Sequence, residues 1–142
     1  RTANSIMKSF TKHIQVSTRK PIELMNITPQ ISSAIGESKI RDGFVVVYSV
    51  HTTTALLVNE DEPNLIADLE EAVTKLIPWR GTYRHNALDG NAPSHLTAAF
   101  LGVSSTFLVE AGELVLGTWQ SIFLVELDGP RSRKVLVKVV GD

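Results

Sequence analysis

The order of apolar and polar residues predicts several β-strands. Near the start of the chain, apolar residues alternate with polar ones, which predicts a strand with one apolar side. That side carries Phe10, Ile14 and Val16, and Lys12 is its one charged exception. Residues 44–48 form a continuous apolar, β-prone run, for which we expect a strand covered on both faces. Further strands are predicted at 54–58, 105–109, 114–127 with a break at Gly117, and 135–139.

Three segments have helical patterns. Thr28 is predicted to cap the first helix, whose first turn contains Pro29. The second runs from Pro63 to Pro78, and its apolar positions follow the i, i+4, i+7 spacing of an amphipathic helix. A third, short helix is predicted after Asn91, which is placed to cap it. The predicted strands outnumber the predicted helices, and short turns join several of the strands directly.

This order of elements predicts an α+β fold. Strand segments joined by short turns, such as the one at 128–130, favour antiparallel pairing. We therefore expect a single domain over residues 1–142, with an antiparallel β-sandwich-like sheet flanked by about three helices. No linker or low-complexity segment marks a domain boundary inside the chain.

Composition narrows the functional classes. The chain has 142 residues, a formal net charge of −1 and no cysteine, which excludes a thiolate metal site and a cysteine nucleophile. A nucleic-acid partner is not expected, because such proteins carry a clear basic excess. No membrane association is expected either, since the longest apolar runs are far below the ~20 residues of a spanning helix. A cytoplasmic location is the simplest expectation.

The small net charge conceals strong segregation along the sequence. Residues 51–130 contain three Lys or Arg against eleven Asp or Glu, whereas residues 1–50 contain seven against three and residues 131–142 contain four against one. Three of the four histidines, His51, His85 and His95, lie in the acidic middle. This middle section is where a cation could bind.

The three histidines are the first candidate site. Each is expected at the boundary of a secondary-structure element, and their spacing of 34 and 10 residues matches no compact metal motif. Three neutral imidazoles from separate elements can nevertheless form an open zinc-type site. The alternative is three separate, hydrogen-bonded histidines.

Acidic and amide residues form the next candidates. Glu60 and Asp61 precede a helix, where they could hold a hard cation such as Mg²⁺ or simply stabilise the helix start. Asp89 and Asn91 flank a glycine before the third helix. They could form only a turn and a cap, or free backbone N–H groups there could bind a phosphate.

Two further candidates lie towards the end of the chain. Trp119 could stack on a heteroaromatic ring while Gln120 hydrogen-bonds the ring edge, or the tryptophan could simply belong to the core. Arg131 and Arg133 follow a tight turn and could clamp a phosphate, or they could form a solvated hairpin end.

Five short motifs occur in order along the chain: HTTTA (51–55), NE (59–60), GNA with HL (90–92 and 95–96), LGTWQ (116–120) and ELDGPRSR (126–133). Together they resemble the YjbQ family, also called the secondary thiamine-phosphate synthase family. The resemblance covers essentially the whole chain. It implies a compact α+β fold on a β-sandwich-like sheet, a homotrimer, and a site near the three histidines that is suspected to bind a metal.

The leading functional hypothesis is an enzyme that joins a pyrimidine pyrophosphate to a thiazole phosphate. A divalent metal, Mg or Zn, and no organic cofactor are expected with it. The predicted roles are catalysis by His51, His85, His95 and Glu60, cation binding by the histidines with Glu60, Asp61 and Asp89, and binding of the phosphorylated substrate by Asn91, Trp119, Gln120, Arg131 and Arg133. The alternatives are a histidine-ligated metal-dependent hydrolase and a non-catalytic trimer that binds a metal or ligand.

Overall fold

Residues 6–142 fold into two antiparallel β-sheets and three α-helices. A computed structural model describes residues 6–142. The strands are β1 Lys8–Ser17, β2 Glu23–Asn26, β3 Gly43–Ser49, β4 Thr54–Asn59, β5 Ser104–Glu110, β6 Glu113–Leu114, β7 Ser121–Glu126 and β8 Ser132–Gly141. The helices are α1 Thr28–Ser38, α2 Pro63–Leu76 and α3 Ala92–Leu101, and a 3-10 turn, Arg84–Ala87, precedes α3. The expected single-domain α+β fold with antiparallel sheets is confirmed.

The larger sheet has the strand order β1-β8-β3-β5-β6. Its inner face is aliphatic, because alternate residues of β3 and β8, such as Val45, Val47 and Val137, are fully buried. This face packs on α1 and on one side of the smaller sheet. Lys12, the charged exception of the predicted β1 pattern, is exposed and pairs with Glu37 of α1 at 3.1 Å.

The smaller sheet has the order β2-β7-β4 and lies at the centre of the molecule. Its first side joins the core with the larger sheet and α1, and its second side packs against α2 and α3. Five of the six residues of β7 are therefore buried, from Ile122 to Glu126. Both faces of β7 are therefore covered, whereas β3 is covered on one face.

The expectation that both faces of β3 are covered is wrong for the single chain. Phe44 and Tyr48 are 38% and 43% exposed, while the alternate residues Val45 and Val47 are buried. In an antiparallel sheet one face can stay open, and no helix of the described residues packs on this outer face. The apolar run thus marks a sheet face that the chain does not cover by itself.

The helix starts were predicted with mixed success. The predicted start of α2 at Pro63 is confirmed, and Glu62 caps the helix, because its carboxylate accepts the Leu65 N–H at 2.6 Å. Thr28 is not the cap of α1 but its first residue; the cap position is Ile27, and no side chain caps the helix. The Thr28 hydroxyl instead accepts the Ile122 N–H at 2.8 Å, so it ties α1 to the start of β7.

Two strand boundaries differ from the sequence prediction. The short strand β2 was not predicted, and the segment 114–127 divides into β6 and β7 with a loop at 115–120 between them. The turn at 128–130 is present before β8. None of the helices in residues 6–142 has the length and apolarity needed to cross a membrane.

Candidate functional site

Two of the predicted histidines line one cavity of about 380 Å³. His51 lies in the connection that carries the chain from β3 to β4, and His95 lies in the first turn of α3. The other lining residues come from the end of β3, the β3–β4 connection, α3 and the segment that follows it. Most are apolar, namely Tyr48, Val50, Ala98, Ala99 and Val103, and two are polar, Ser49 and Thr52. The volume falls at the lower end of the range for small-molecule sites, roughly 300–1,000 Å³.

The imidazole of His51 is oriented by the backbone of β8. Its Nε2 accepts the Lys134 N–H at 2.8 Å. Burial lowers the pKa of His51, and the nearby positive charge of Arg133 lowers it further. The neutral ring that accepts at Nε2 must carry its proton on Nδ1, so His51 offers an N–H donor on its other side.

A buried ion pair supports this arrangement. The guanidinium of Arg133 donates to both carboxylate oxygens of Glu126, through Nε at 2.8 Å and through Nη2, and it also donates to the Thr53 hydroxyl at 2.8 Å. Burial would raise the pKa of Glu126, but hydrogen bonds from Arg133, the Thr18 hydroxyl and the Asp128 N–H outweigh it and lower the pKa. Arg133 therefore does not point outwards to clamp a phosphate with Arg131, as the sequence suggested.

The third predicted histidine contacts the second. The rings of His85 and His95 pack edge to face with centroids 4.6 Å apart. Nε2 of His85 lies 3.9 Å from Asp89 Oδ2, beyond hydrogen-bond distance, and is shielded from solvent. In residues 6–142, the buried side-chain atoms without a hydrogen-bond partner are this nitrogen, Asn91 Oδ1 and Thr97 Oγ1. Unpaired polar atoms are thus concentrated around α3, where a bound molecule could satisfy them.

The start of α3 is not the open phosphate site that the sequence suggested. Asn91 does not cap the helix with its side chain: its Oδ1 accepts no hydrogen bond, and its amide nitrogen donates to Asp128 Oδ2 at 2.9 Å. The Ala92 N–H donates to Asn86 Oδ1, and the Ser94 and His95 N–H groups both donate to the Asn91 carbonyl. Since proline at position 93 has no N–H, the first turn keeps no free backbone donor.

Arg131 is the accessible arginine near this site. Its Nη2 donates to Asp128 Oδ2 at 3.1 Å, and more than half of its side chain is exposed. The same Asp128 carboxylate accepts the Asn91 amide, so this aspartate connects Arg131 to the start of α3. Arg131 and Asn91 are therefore both placed near the histidines.

The predicted metal centre does not fit the geometry of one chain. Within residues 6–142, no three histidine, aspartate or glutamate side chains are grouped so that they could hold a metal ion. His51 would have to coordinate through Nε2, which already accepts the Lys134 N–H, or through Nδ1, which carries the proton. The geometry favours hydrogen bonding by His51 over metal coordination.

The remaining predicted site residues lie at the opposite end of the smaller sheet. Gln120 directly precedes β7, and the last residue of β4, Asn59, pairs with the first of β7. Glu60, Asp61 and Trp119 belong to this end, whereas His51 lies near the other end of β7. The six residues of β7 are separated by five steps of about 3.4 Å, so the two ends are roughly 17 Å apart. Within one chain, Glu60 and Asp61 therefore cannot share a cation with Asp89, and Trp119 and Gln120 cannot reach the histidine cavity.

Trp119 is not a core residue. It is 72% exposed in the loop between β6 and β7. The loop is closed by its own hydrogen bonds, in which Gln120 Oε1 accepts the Gly117 N–H at 2.8 Å. Asp61 is also exposed and accepts a hydrogen bond from the Asn26 amide at 2.8 Å.

Residues without a predicted role complete the site. Glu126 interrupts an apolar strand, and a carboxylate inside a buried run is itself a sign of a buried partner. Lys134 acts through its backbone N–H, which no side-chain pattern can reveal. Tyr48 was interpreted only as part of a strand, but it lines the cavity.

The fold and the site define a class: a two-sheet antiparallel α+β protein whose candidate site is a histidine-lined cavity between the sheet connection and α3. The family model described as "UPF0047 protein YjbQ-like" matches residues 12–142, and the chain belongs to this family.

Relatives and solved structures agree with this assignment. A UPF0047 protein of Methanothermobacter thermautotrophicus is 44% identical over 135 residues, which cover 95% of this chain and 94% of the relative. One from Archaeoglobus fulgidus is 46% identical over 127 residues, 89% of this chain and 98% of the relative. A crystal structure of a YbjQ-like protein of unknown function from Sulfolobus solfataricus has a TM-score of 0.94 and 40% identity, covering 96% of this chain and all of the other.

Proposed function

We propose that the cavity lined by His51 and His95 is the substrate site of a small-molecule enzyme, and that its substrate carries a phosphate. The observation that carries the proposal is the orientation of His51 by the Lys134 N–H at 2.8 Å. This bond directs a fixed Nδ1–H donor away from β8. An oriented donor in a cavity of this size suits an anionic oxygen of a small ligand.

The charge needed for a phosphate would come from Arg131. Its exposed guanidinium lies beside Asp128, which is hydrogen-bonded to the start of α3. Exchange of the Asp128 contact for a ligand phosphate would cost little, because an exposed ion pair contributes under about 1 kcal/mol. Arg133 would take no direct part, since its guanidinium is committed to Glu126.

The reaction proposed is the formation of thiamine phosphate. The bond between the pyrimidine methylene carbon and pyrophosphate breaks, pyrophosphate leaves with the electron pair, and the thiazole nitrogen forms a new bond to that carbon. The His51 N–H and the Arg131 guanidinium would stabilise the charge that develops on the departing oxygen. No step of this proposal is assigned to a metal.

Incubation of the purified protein with the pyrimidine pyrophosphate and the thiazole phosphate tests this reaction. We expect thiamine phosphate to form, and the His51→Ala, His95→Ala double variant to lose most of the product. A loss of about 100-fold or more is typical for removal of an oriented donor. His13→Ala, on an exposed histidine of β1, is the matched control. Wild-type product no higher than that of the double variant would refute the reaction, and ligand binding without turnover would favour a non-catalytic role.

The proposed assembly is a homotrimer, in which each chain binds two further copies. The support is the uncovered outer face of the larger sheet, where Phe44, Tyr48 and Leu108 expose apolar side chains. Contiguous exposed apolar surface of this kind marks an interaction site.

A further inference from the structure

The exposed apolar surface divides into two patches, one at the end of the sheets that carries the histidine cavity and one towards the end that carries the Trp119 loop. The rim patch comprises Tyr48 and Val50, which line the cavity, with Leu96 and the 76% exposed Phe100 of α3. The Trp119 patch comprises Leu108, Val115 and Trp119, and the Val115 N–H donates to the Leu108 carbonyl. Because the two patches lie apart on one chain, they can meet only when the rim patch of one copy contacts the Trp119 patch of another. Repeated contacts of this kind can close the copies into a ring.

The charges around the two patches are complementary. Near the cavity, the positive charges of Arg84, Arg131 and Lys134 outnumber the negative charges of Asp89 and Asp128. Glu60 and Asp61 contribute negative charge at the end of the sheet that holds the Trp119 loop. Opposite charges around two apolar patches favour their contact over the contact of like ends.

The Trp119 loop is closed by two hydrogen bonds: Gln120 Oε1 accepts the Gly117 N–H, and the Gln120 N–H donates to the Gly117 carbonyl. The Trp119 side chain in this loop is 72% exposed. The amide nitrogen of Gln120 remains available as a donor. An exposed indole beside a donor offers a flat wall for a heteroaromatic ring.

We infer that a second copy of this chain places Trp119 over the His51 cavity, so that the complete site forms between copies. The histidines would then contact the anionic part of the ligand, and Trp119 and Gln120 of the neighbouring copy would hold a heteroaromatic ring. This inference rests on the proposed function in taking the cavity as the substrate site and in taking the chain to self-associate.

Cross-linking tests the geometry without any assay of activity. The natural chain has no cysteine, so a Thr52→Cys, Thr118→Cys variant carries two thiols, at exposed positions next to the cavity and the Trp119 loop. A disulfide within one chain is excluded, because it needs Cα atoms within about 7 Å and the sheet ends are more than twice as far apart. We expect oxidation to yield covalent dimers and trimers on a non-reducing gel.

The control pair is Glu71→Cys with Thr118→Cys, since Glu71 is exposed on α2, away from the outer face of the larger sheet. This pair should stay mostly monomeric under the same oxidation. Monomers only from the Thr52 pair, or equal cross-linking in both pairs, would overturn the inference. Failure of thiamine-phosphate formation would leave the cross-linking result intact, so the two proposals fail separately.

Fluorescence gives a second measurement on a nearly natural chain. The protein has two tryptophans, and Trp79→Phe leaves Trp119 as the reporter. We expect blue-shifted emission in the assembled protein and a shift to the red on dilution to single chains. Emission typical of a fully hydrated indole at every concentration would contradict the contact with a neighbouring copy.

Discussion

At the scale of single residues, His51 is the best-determined part of the site. Its Nε2 accepts a backbone N–H from β8, and burial together with Arg133 keeps the imidazole neutral. The folded structure therefore requires the neutral form of the His51 imidazole, and the proposed chemistry uses the same form. Protonation of Nε2 would break the bond to Lys134, because a protonated nitrogen cannot accept.

The lowered pKa of His51 predicts how stability depends on pH. The unfolded chain binds a proton at His51 near pH 6.5, whereas the folded chain binds it only at lower pH. The stabilisation is therefore fully present above about pH 6.5 and is lost as the pH falls through the lowered pKa. We expect the loss of unfolding free energy between pH 7 and 5 to be smaller in His51→Gln than in the wild type.

Urea unfolding at several pH values measures this effect. His13→Gln, a change on the exposed side of β1, should retain the wild-type dependence on pH. Identical profiles for His51→Gln and the wild type would show that His51 does not titrate in this way.

At the scale of secondary-structure elements, the Glu126–Arg133 pair joins three segments. Glu126 ends β7, Arg133 is the second residue of β8, and Thr53 belongs to the connection that carries His51. Since Lys134 directly follows Arg133, the pair also sets the position of the N–H that orients His51. Both side chains are almost fully buried.

Removal of one partner of this pair should be strongly destabilising. Arg133→Met would leave the Glu126 carboxylate buried without its counter-ion, which costs about 3–5 kcal/mol. The matched control is Arg131→Met, which removes an exposed ion pair worth under about 1 kcal/mol. Denaturant unfolding of both variants measures the difference, and equal small losses would argue against a structural role for the buried pair.

At the scale of the whole molecule, the two sheets are covered unequally. The smaller sheet is enclosed by the larger sheet and α1 on one side and by α2 and α3 on the other. The outer face of the larger sheet carries Phe44 opposite Leu108 and Val140, with no covering element among residues 6–142. Copies of the chain that pack on this face would complete the fold.

The open face predicts the mass of the protein in solution. We expect light scattering to give the mass of three chains for the wild type and a lower mass for Phe44→Lys, because a charge would be buried at the contact. Leu76→Lys, at the 57% exposed last residue of α2 and away from this face, should retain the wild-type mass. A wild-type mass of one chain would contradict the proposed homotrimer.

Much of the fold could be predicted from local patterns. The alternation in β1 and β8, the amphipathic helix α2 and its Glu62 cap depend on neighbours in sequence, and all are present. The both-face coverage of β3 could not be judged, because a continuous apolar run looks the same whether its own chain or another surface covers it. Thr28 was misassigned because its hydroxyl bonds Ile122, far away in the sequence.

The candidate site divides in the same way. The sequence by itself indicates the histidines and Arg131 as candidate site residues. Its five ordered motifs also indicate the family. Only the tertiary structure decided that His51 and His95 share a cavity, that Arg133 is buried against Glu126, and that Trp119 lies at the far end of β7. The physical reason is that sequence patterns report which face of an element is apolar, whereas the pairing of strands across the sheets determines which side chains meet.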